Sequence, residues 1–336
     1  MSRPQKPVKS DIGWSTADRN SAAGLLLALF IPLCAIAQGY PAKPIRYFVP
    51  FPPGAFNDTL GRTIAQKFVE TGFAQTVVDN RPGAGSTIGT ELVAKAPADG
   101  YTLLGVAVPF AVNATLYARL PYDTLRDFTG VIYAGATPNM LVMHPSVPVG
   151  SIKELIALAK AKPNQLNYAS TGNGTSNHMS MELFKLMTGT QIVQISYKAI
   201  QQAITDTMAG QIHVVCDNAP SILPHVRAGR LRALGVMTPK RNPYLPDIPT
   251  IAEGGVPGFD VVPIGGYVLP ANTPRDIVLR LNSEINKALV SSLVSERFTA
   301  AGLTVEGGTP EQYAERLRLE TAKWAGVIKA AGIKPE

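Results

Sequence analysis

The sequence predicts an α/β fold of two units with a cleft between them, on three observations. Short β-rich runs alternate with amphipathic helical patterns, the alternation comes as two separate sets, and a proline-rich stretch, 242–260, ties the second set to the closing helices. Strand–helix alternation implies parallel strands joined by crossover helices. A chain of 336 residues suits about two domains.

The first 37 residues are set apart from that fold. Arg3, Lys6, Lys9 and Arg19 precede the apolar run Leu25–Ala37, which closes on Ala35-Ile36-Ala37. A basic segment, a short apolar segment and a small-x-small triplet predict a secretory signal peptide cleaved between Ala37 and Gln38. The run is shorter than the ~20 apolar residues a membrane span needs. Leu33 before Cys34 argues against lipoprotein acylation. The expected organisation is therefore 1–37 signal peptide, 38–140 first domain continued by 246–336, and 141–245 second domain, with the mature protein in the periplasm.

The first set opens with the strand "IRYFVP", then the helix "DTLGRTIAQKFVETG" with Leu60, Ile64 and Phe68 at four-residue spacing and Gly72 as its stop. Thr76–Asp79, the helical "GTELVAKA" and the strand "YTLLGVAV" complete it. The second set runs from "MLVMH" through "SIKELIALAKAK", "LNYAS", "SNHMSMELFKLMTG", "QIVQIS", "AIQQAITDTMAG", "IHVVCD" and "SILPHVRAGR" to "LRALGVM". Two amphipathic helices follow, at 275–291 and 310–331.

Two loops carry the binding signal. In "PFPPGAFND", prolines stiffen the turn and Gly54 permits a backbone conformation closed to other residues. Asn57 or Asp58 is placed to cap a helix beginning at Thr59. Such a turn is common as plain structure, but free N–H groups at the helix start also suit a carboxylate. "STGNGTSNH" gathers Ser170, Thr171, Asn173, Thr175 and Ser176 around Gly172 and Gly174, again before a helix. Ligands of open parallel sheets bind at strand carboxyl ends. One donor-rich loop in each unit makes both stronger candidates. Lys198, after a strand in "SYKAI", is either a solvated lysine or an anion partner.

Other chemistry is weakly represented. "RPGAGSTIG" resembles a dinucleotide loop in its glycines, yet it follows the second strand of its unit and reads better as a tight helix start. His144, His178, His213 and His225 make no metal spacing, no G-x-S-x-G elbow occurs, and Cys216 has no neighbouring base. No cofactor, no metal and no catalytic residue is expected. The formal charge of +7 is scattered, which excludes a nucleic-acid stripe and favours small acids. One cysteine after residue 37 leaves no intramolecular disulfide.

Taken together, "YPAKPIRYFVPFPPG", "DNRPGAGSTIGTELVAKAPADGYTLL", "NATLYARLPYD", "SIKELIALAKAKP", "YASTGNGTSNH", "GQIHVVCDN", "LRALGVM", "PDIPTIAEGGVPGF" and "KWAGVIKAAGI" resemble the tripartite tricarboxylate transporter receptors, the Bug-type periplasmic solute-binding proteins. The likeness runs from about Tyr40 to Lys334. It implies a two-domain type II periplasmic binding protein fold that closes on a carboxylate in the interdomain cleft without chemistry. Its partners would be one large and one small membrane subunit, with the receptor a monomer. The first ligand loop maps onto Pro52, Gly54, Ala55, Phe56, Asn57 and Asp58, and the second onto Ser170, Thr171, Gly172, Asn173, Ser176 and His178. Further contacts are implied at the strand ends, at Val108, Pro109 and Phe110, at Tyr197 and Lys198, and at Asp217. The chain departs from the family pattern at Gly54-Ala55-Phe56, where Pro-Gly-Gly and small residues are usual, and at Ala199-Ile200. A phenylalanine whose ring faces the cleft points to a linear or aromatic dicarboxylate, whereas one facing solvent or the core of its unit leaves selectivity unchanged. Two rival readings are an enzyme on the same fold with His178 and Asp58 as acid–base groups, and a sensor docking on a membrane kinase.

Overall fold

The computed structural model describes residues 39–261, 265–299 and 303–335, so the predicted signal peptide and cleavage position lie outside the described residues. By its contacts the chain divides after Tyr40, and Pro41–Glu336 is one unit. Within it the elements are β1 (Ile45–Val49), α1 (Phe56–Glu70), β2 (Thr76–Asn80), α2 (Thr87–Ala94), β3 (Thr102–Val106), α3 (Val108–Leu116), β4 (Phe128–Ala136) and β5 (Asn139–Met143). Then come α4 (Ile152–Ala161), β6 (Asn167–Ser170), α5 (Ser176–Thr188), β7 (Val193–Ser196), α6 (Ile200–Met208), β8 (Val214–Asn218), α7 (Ala219–Arg227) and β9 (Arg232–Val236). The chain closes with β10 (Gly265–Pro270), α8 (Arg275–Leu289), α9 (Ser292–Thr299), β11 (Thr304–Val305) and α10 (Pro310–Ala331).

The strands form two sheets, a six-stranded one ordered β11-β4-β10-β3-β1-β2 and a five-stranded one ordered β7-β6-β8-β5-β9. Only the β2-β1-β3 and β7-β6-β8 pairs are parallel; β4, β5, β9, β10 and β11 pair antiparallel. Alternation had predicted parallel sheets throughout, and the difference has a topological cause. The chain leaves the first sheet along β4, passes through Thr137 and Pro138 into β5, and comes back along β10. A strand that carries the chain out and one that brings it home run in opposite senses.

That route fixes where a site can be. The end of β4 lies beside the start of β10, which in turn lies beside the end of β3 (Gly265↔Gly135, Gly266↔Val106). The end of β8 lies beside the start of β5 (Asn218↔Asn139). So the carboxyl ends of the parallel strands in both sheets are at the crossover ends.

A single apolar cluster runs through both sheets. It joins Phe48, Val106 and Tyr133 to Leu141, Tyr168 and Cys216, with Trp324, Val327 and Ile328 of α10 among its members. Helix α10 starts on a capping box between Thr309 and Gln312 and stops at Gly332 in the left-handed conformation. Residues 246–261 pack on the second sheet and its helix α5: Ile251 N donates to Val236 O, and Phe184 meets Phe259 edge-on, 6.4 Å between centroids.

One close approach sets up the first loop. Tyr47 is fully buried, its hydroxyl donating to Asn57 O (3.1 Å), and its ring fills the space where Gly61 and Gly105 would carry Cβ atoms. Gly61→Ala is therefore expected to destabilise by about 1–3 kcal/mol, the scale of overpacking, although alanine is the better helix former by about 1 kcal/mol. Urea unfolding measures this; a more stable variant would show that the ring yields freely.

Candidate functional site

The first loop, 50–55, leads from β1 into α1. Helix α1 begins at Phe56 rather than Thr59, with Ala55 at the N-cap and no side-chain cap. Asn57 and Asp58 therefore lie inside its first turn, a correction to the capping role read from sequence. Both are buried, and both build the loop. Asn57 Nδ2 donates to Val106 O (3.0 Å), which fastens α1 to the end of β3. Asp58 accepts from Gly54 N (2.9 Å), from Arg62 Nε (3.0 Å) and from Asn80 Nδ2 (2.9 Å). Burial raises the Asp58 carboxyl, but the bonds from Arg62, Gly54 and Asn80 outweigh it and hold the group below its ordinary value. An ionised, fully engaged carboxylate organises a turn; it has no proton to give. Pro52 and Gly54 are exposed and Ala55 is half-buried.

Phe56 is half-buried at the first position of α1. Its ring meets Phe298 of α9 edge-on, 6.2 Å between centroids, and lies against Gly265 at the start of β10. Val108, Pro109 and Phe110, expected at a strand end, instead form the start of α3, because β3 stops at Val106. Their side chains are buried, Phe110 against Phe128 at 5.2 Å, so only the backbone is left for a ligand.

The second loop is organised by a residue that the motif contained but sequence reasoning passed over. Asn177, buried in the first turn of α5, accepts at Oδ1 from Thr175 Oγ1 (2.6 Å), His178 N (2.8 Å) and Thr171 N (3.3 Å). Ser170 is fully buried; its hydroxyl accepts from Gln194 Nε2 (2.8 Å) and Gly172 N (3.3 Å). Asn173 donates to Lys334 O (2.9 Å), pinning the loop to the end of α10. His178 is buried, with Nδ1 accepting from Gly174 N (3.3 Å), so its proton sits on Nε2 facing Glu182 at 3.9 Å. That ring holds loop backbone. Ser176 is half-buried, and its hydroxyl makes no bond among the described residues.

The remaining strand-end residues divide. Tyr197 N donates to Ser170 O (2.9 Å) and its hydroxyl to Asp206 Oδ2 (3.0 Å), while Lys198 is exposed and makes no ion pair among the described residues. Asp217, at the end of β8, is 5 % exposed, and its Oδ2 has no hydrogen-bond partner among the described residues. Burial pushes its carboxyl up to about 7, against the pull of the Asn218 amide and the Ser221 hydroxyl. Burial also pushes the Cys216 thiol up, which removes it as a nucleophile.

A common feature explains what this arrangement can hold. Helices α1, α3, α5, α6 and α7 all begin at the carboxyl ends of strands, and none has a side-chain cap at Ala55, Ala107, Thr175, Ala199 or Asn218. By contrast α4 is capped by Ser151 and α10 by Thr309. First-turn N–H groups have no acceptor inside a helix, and the helix dipole favours negative charge there. His178 N, Phe110 N and Ala219 N are already engaged by Asn177 Oδ1, Ala107 O and Pro138 O, and Pro109 and Pro220 have no N–H; the remaining first-turn donors, from both sheets, face the crossover ends. Among the described residues no cluster of His, Cys, Asp or Glu could hold a metal ion. The grooves of about 460 and 550 Å³ elsewhere, one at the start of β1 and one around 114–127, include none of these residues.

Comparison with known proteins identifies the family. Residues 61–333 match the model of the tripartite tricarboxylate transporter family receptor. Over 316 residues the chain is 38% identical to the protein BugT of Bordetella pertussis, covering 92% of this chain and 97% of that one. A protein from Pseudomonas sp. (strain P51), described as "UPF0065 protein in tcbD-tcbE intergenic region", is 38% identical over 313 residues, covering 92% and 93%. Among solved structures, R. palustris Rpa4515 with adipate aligns with TM-score 0.79 at 36% identity, covering 88% of this chain and 100% of that one. MatC from Rhodopseudomonas palustris with bound malate aligns with TM-score 0.75 at 28% identity, covering 86% and 100%. The chain belongs to the tripartite tricarboxylate transporter receptor family, whose members are periplasmic solute-binding receptors and not enzymes.

Proposed function

We propose that this receptor captures a linear or aromatic dicarboxylate between two lobes in the periplasm and delivers it to one large and one small membrane subunit. The observation that carries the reading is that helices starting at the carboxyl ends of strands in both sheets lack side-chain N-caps. Each lobe offers neutral donors, so a diacid with a carboxylate at either end draws the lobes together. We take the second lobe to run from Pro138 to Val261, beyond the limit at 245 read from sequence, because 246–261 pack against β9 and α4. Adipate and malate in the related structures support an aliphatic diacid. Phe56 stands where the family pattern has small residues, with its ring against Phe298 and Gly265. Export by the signal peptide and action as a monomer complete the proposal. A sensor of the same ligand would differ only in its docking partner, and genes for membrane subunits beside this one would decide for transport.

Adipate or an aromatic diacid is expected to raise the melting temperature more than citrate does. Replacing Thr171 and Ser176 together by Ala is expected to weaken capture by about 5- to 150-fold, the equivalent of 1–3 kcal/mol in lost buried hydrogen bonds. Thermal melting measures the first and calorimetric titration the second. Citrate giving the larger shift removes the dicarboxylate reading, and an unchanged affinity in the double variant removes the second loop from the site.

A further inference from the structure

Asp217 is the acidic residue of this site that, unlike Asp58 with its Arg62 partner, no basic side chain engages among the described residues. The register of β6 on β8 pairs Ala169 with Val215, so Asp217 is level with Thr171, the first residue of the second loop. The next residues join the crossover: Asn218 faces Asn139, and Ala219 N donates to Pro138 O (2.9 Å). The side chain is buried with Oδ2 unpartnered among the described residues.

Among the described residues no cationic side chain pairs with it, and its donors are the neutral Asn218 amide and Ser221 hydroxyl. On the same face, Asp206 of α6 is held by the Tyr197 hydroxyl, and Lys198 is exposed. On α7 the charges His225 and Arg227 belong to the last turn, at the end of the helix away from Asp217. On α5, which covers the other face, Glu182 is engaged by Tyr168 and Lys185. β5 has no ionisable residue, and on β6 Tyr168 donates to Glu182. A buried carboxylate beside a bound carboxylate sets two acceptors together, and only a shared proton turns that repulsion into a hydrogen bond.

We propose that Asp217 acts as a neutral acid that donates its proton to a carboxylate of the bound ligand, so that capture takes up a proton and tightens as the pH falls through neutrality. This rests on the dicarboxylate reading above. It also defines the ligand more closely: the group beside the second loop is an ionised carboxylate rather than an ammonium or hydroxyl donor, which would select the ionised Asp217.

The test is titration calorimetry with adipate as probe between about pH 6.5 and 8.5, in two buffers of different ionisation enthalpy. Affinity is expected to fall about tenfold per pH unit above neutrality, with close to one proton taken up per ligand at the alkaline end. Asp217→Asn, which cannot titrate, is expected to lose the pH slope and the proton uptake. The buffer comparison on the unaltered protein stands alone should the variant fail to fold. Binding with no slope and no proton uptake overturns the inference, as does a slope that survives in Asp217→Asn or an affinity that rises with pH. Adipate, malate and an aromatic diacid all failing to bind at every pH overturns the receptor reading beneath it.

Discussion

Asp58→Ala is expected to destabilise the protein by about 2–4 kcal/mol and to abolish measurable capture of dicarboxylates. The carboxylate is 3 % exposed and gathers the Gly54 amide, Arg62 and Asn80 around itself. Breaking a buried charged network costs about 3–5 kcal/mol; the lower figure applies here because the Arg62 side chain is half exposed and regains water. The loop suffers more than the global fold. Gly54 has φ +85°, a conformation held by its bond to Asp58, and without it the turn before α1 loses its shape. The folded carboxyl lies below its ordinary value, so its stabilisation is complete above pH 4 and is lost only as acid titrates the lowered group. Urea unfolding near pH 7 and calorimetric titration measure the two effects. Full ligand affinity in the variant would mean that the first loop is ordered by something other than this carboxylate.

The same residue shows what a sequence discloses and what it hides. The position of the loop, its prolines and the helix behind it were legible because turn chemistry is local. The Asp58–Arg62 pair at i,i+4 could have been found as well. Asn80, 22 residues further on, reaches Asp58 only because β1 and β2 pair in parallel, and no local pattern announces that. The returning strand β10 was missed for a related reason: a buried apolar run reads alike in either direction, and its sense depends on the chain having visited the second sheet. Phe56 stood out as unusual, but Phe298, its ring partner, lies on a helix near the other end of the chain. Asn177 lay inside a recognised motif and was passed over, because a capping search looks for the residue before a helix and Asn177 follows its start.

Asp217 leads to the second large effect, which appears without any ligand. Its folded value of about 7 lies above the ordinary 3.8, so the folded chain holds this proton more tightly than the unfolded chain does. Stability from this group is complete below pH 4, declines as the pH rises towards 7, and is level beyond. A gap of about three units is on the order of 4 kcal/mol. Two histidines oppose it: burial lowers His213, and burial with Arg230 nearby lowers His225, so both withdraw stability as the pH falls below 6.5. Both are partly solvated and weigh less. Asp58 does not enter, since its titration lies below this range. The unliganded protein is therefore expected to melt higher at pH 5 than at pH 8, whereas Asp217→Asn, left with the histidines, should be flat or slightly reversed. At pH 8 the variant should be the more stable of the two, because it no longer ionises a carboxyl inside the second lobe. Equal slopes in the two proteins would mean that Asp217 ionises without cost, and a carboxylate so easily charged could not serve as the donor for an anionic ligand.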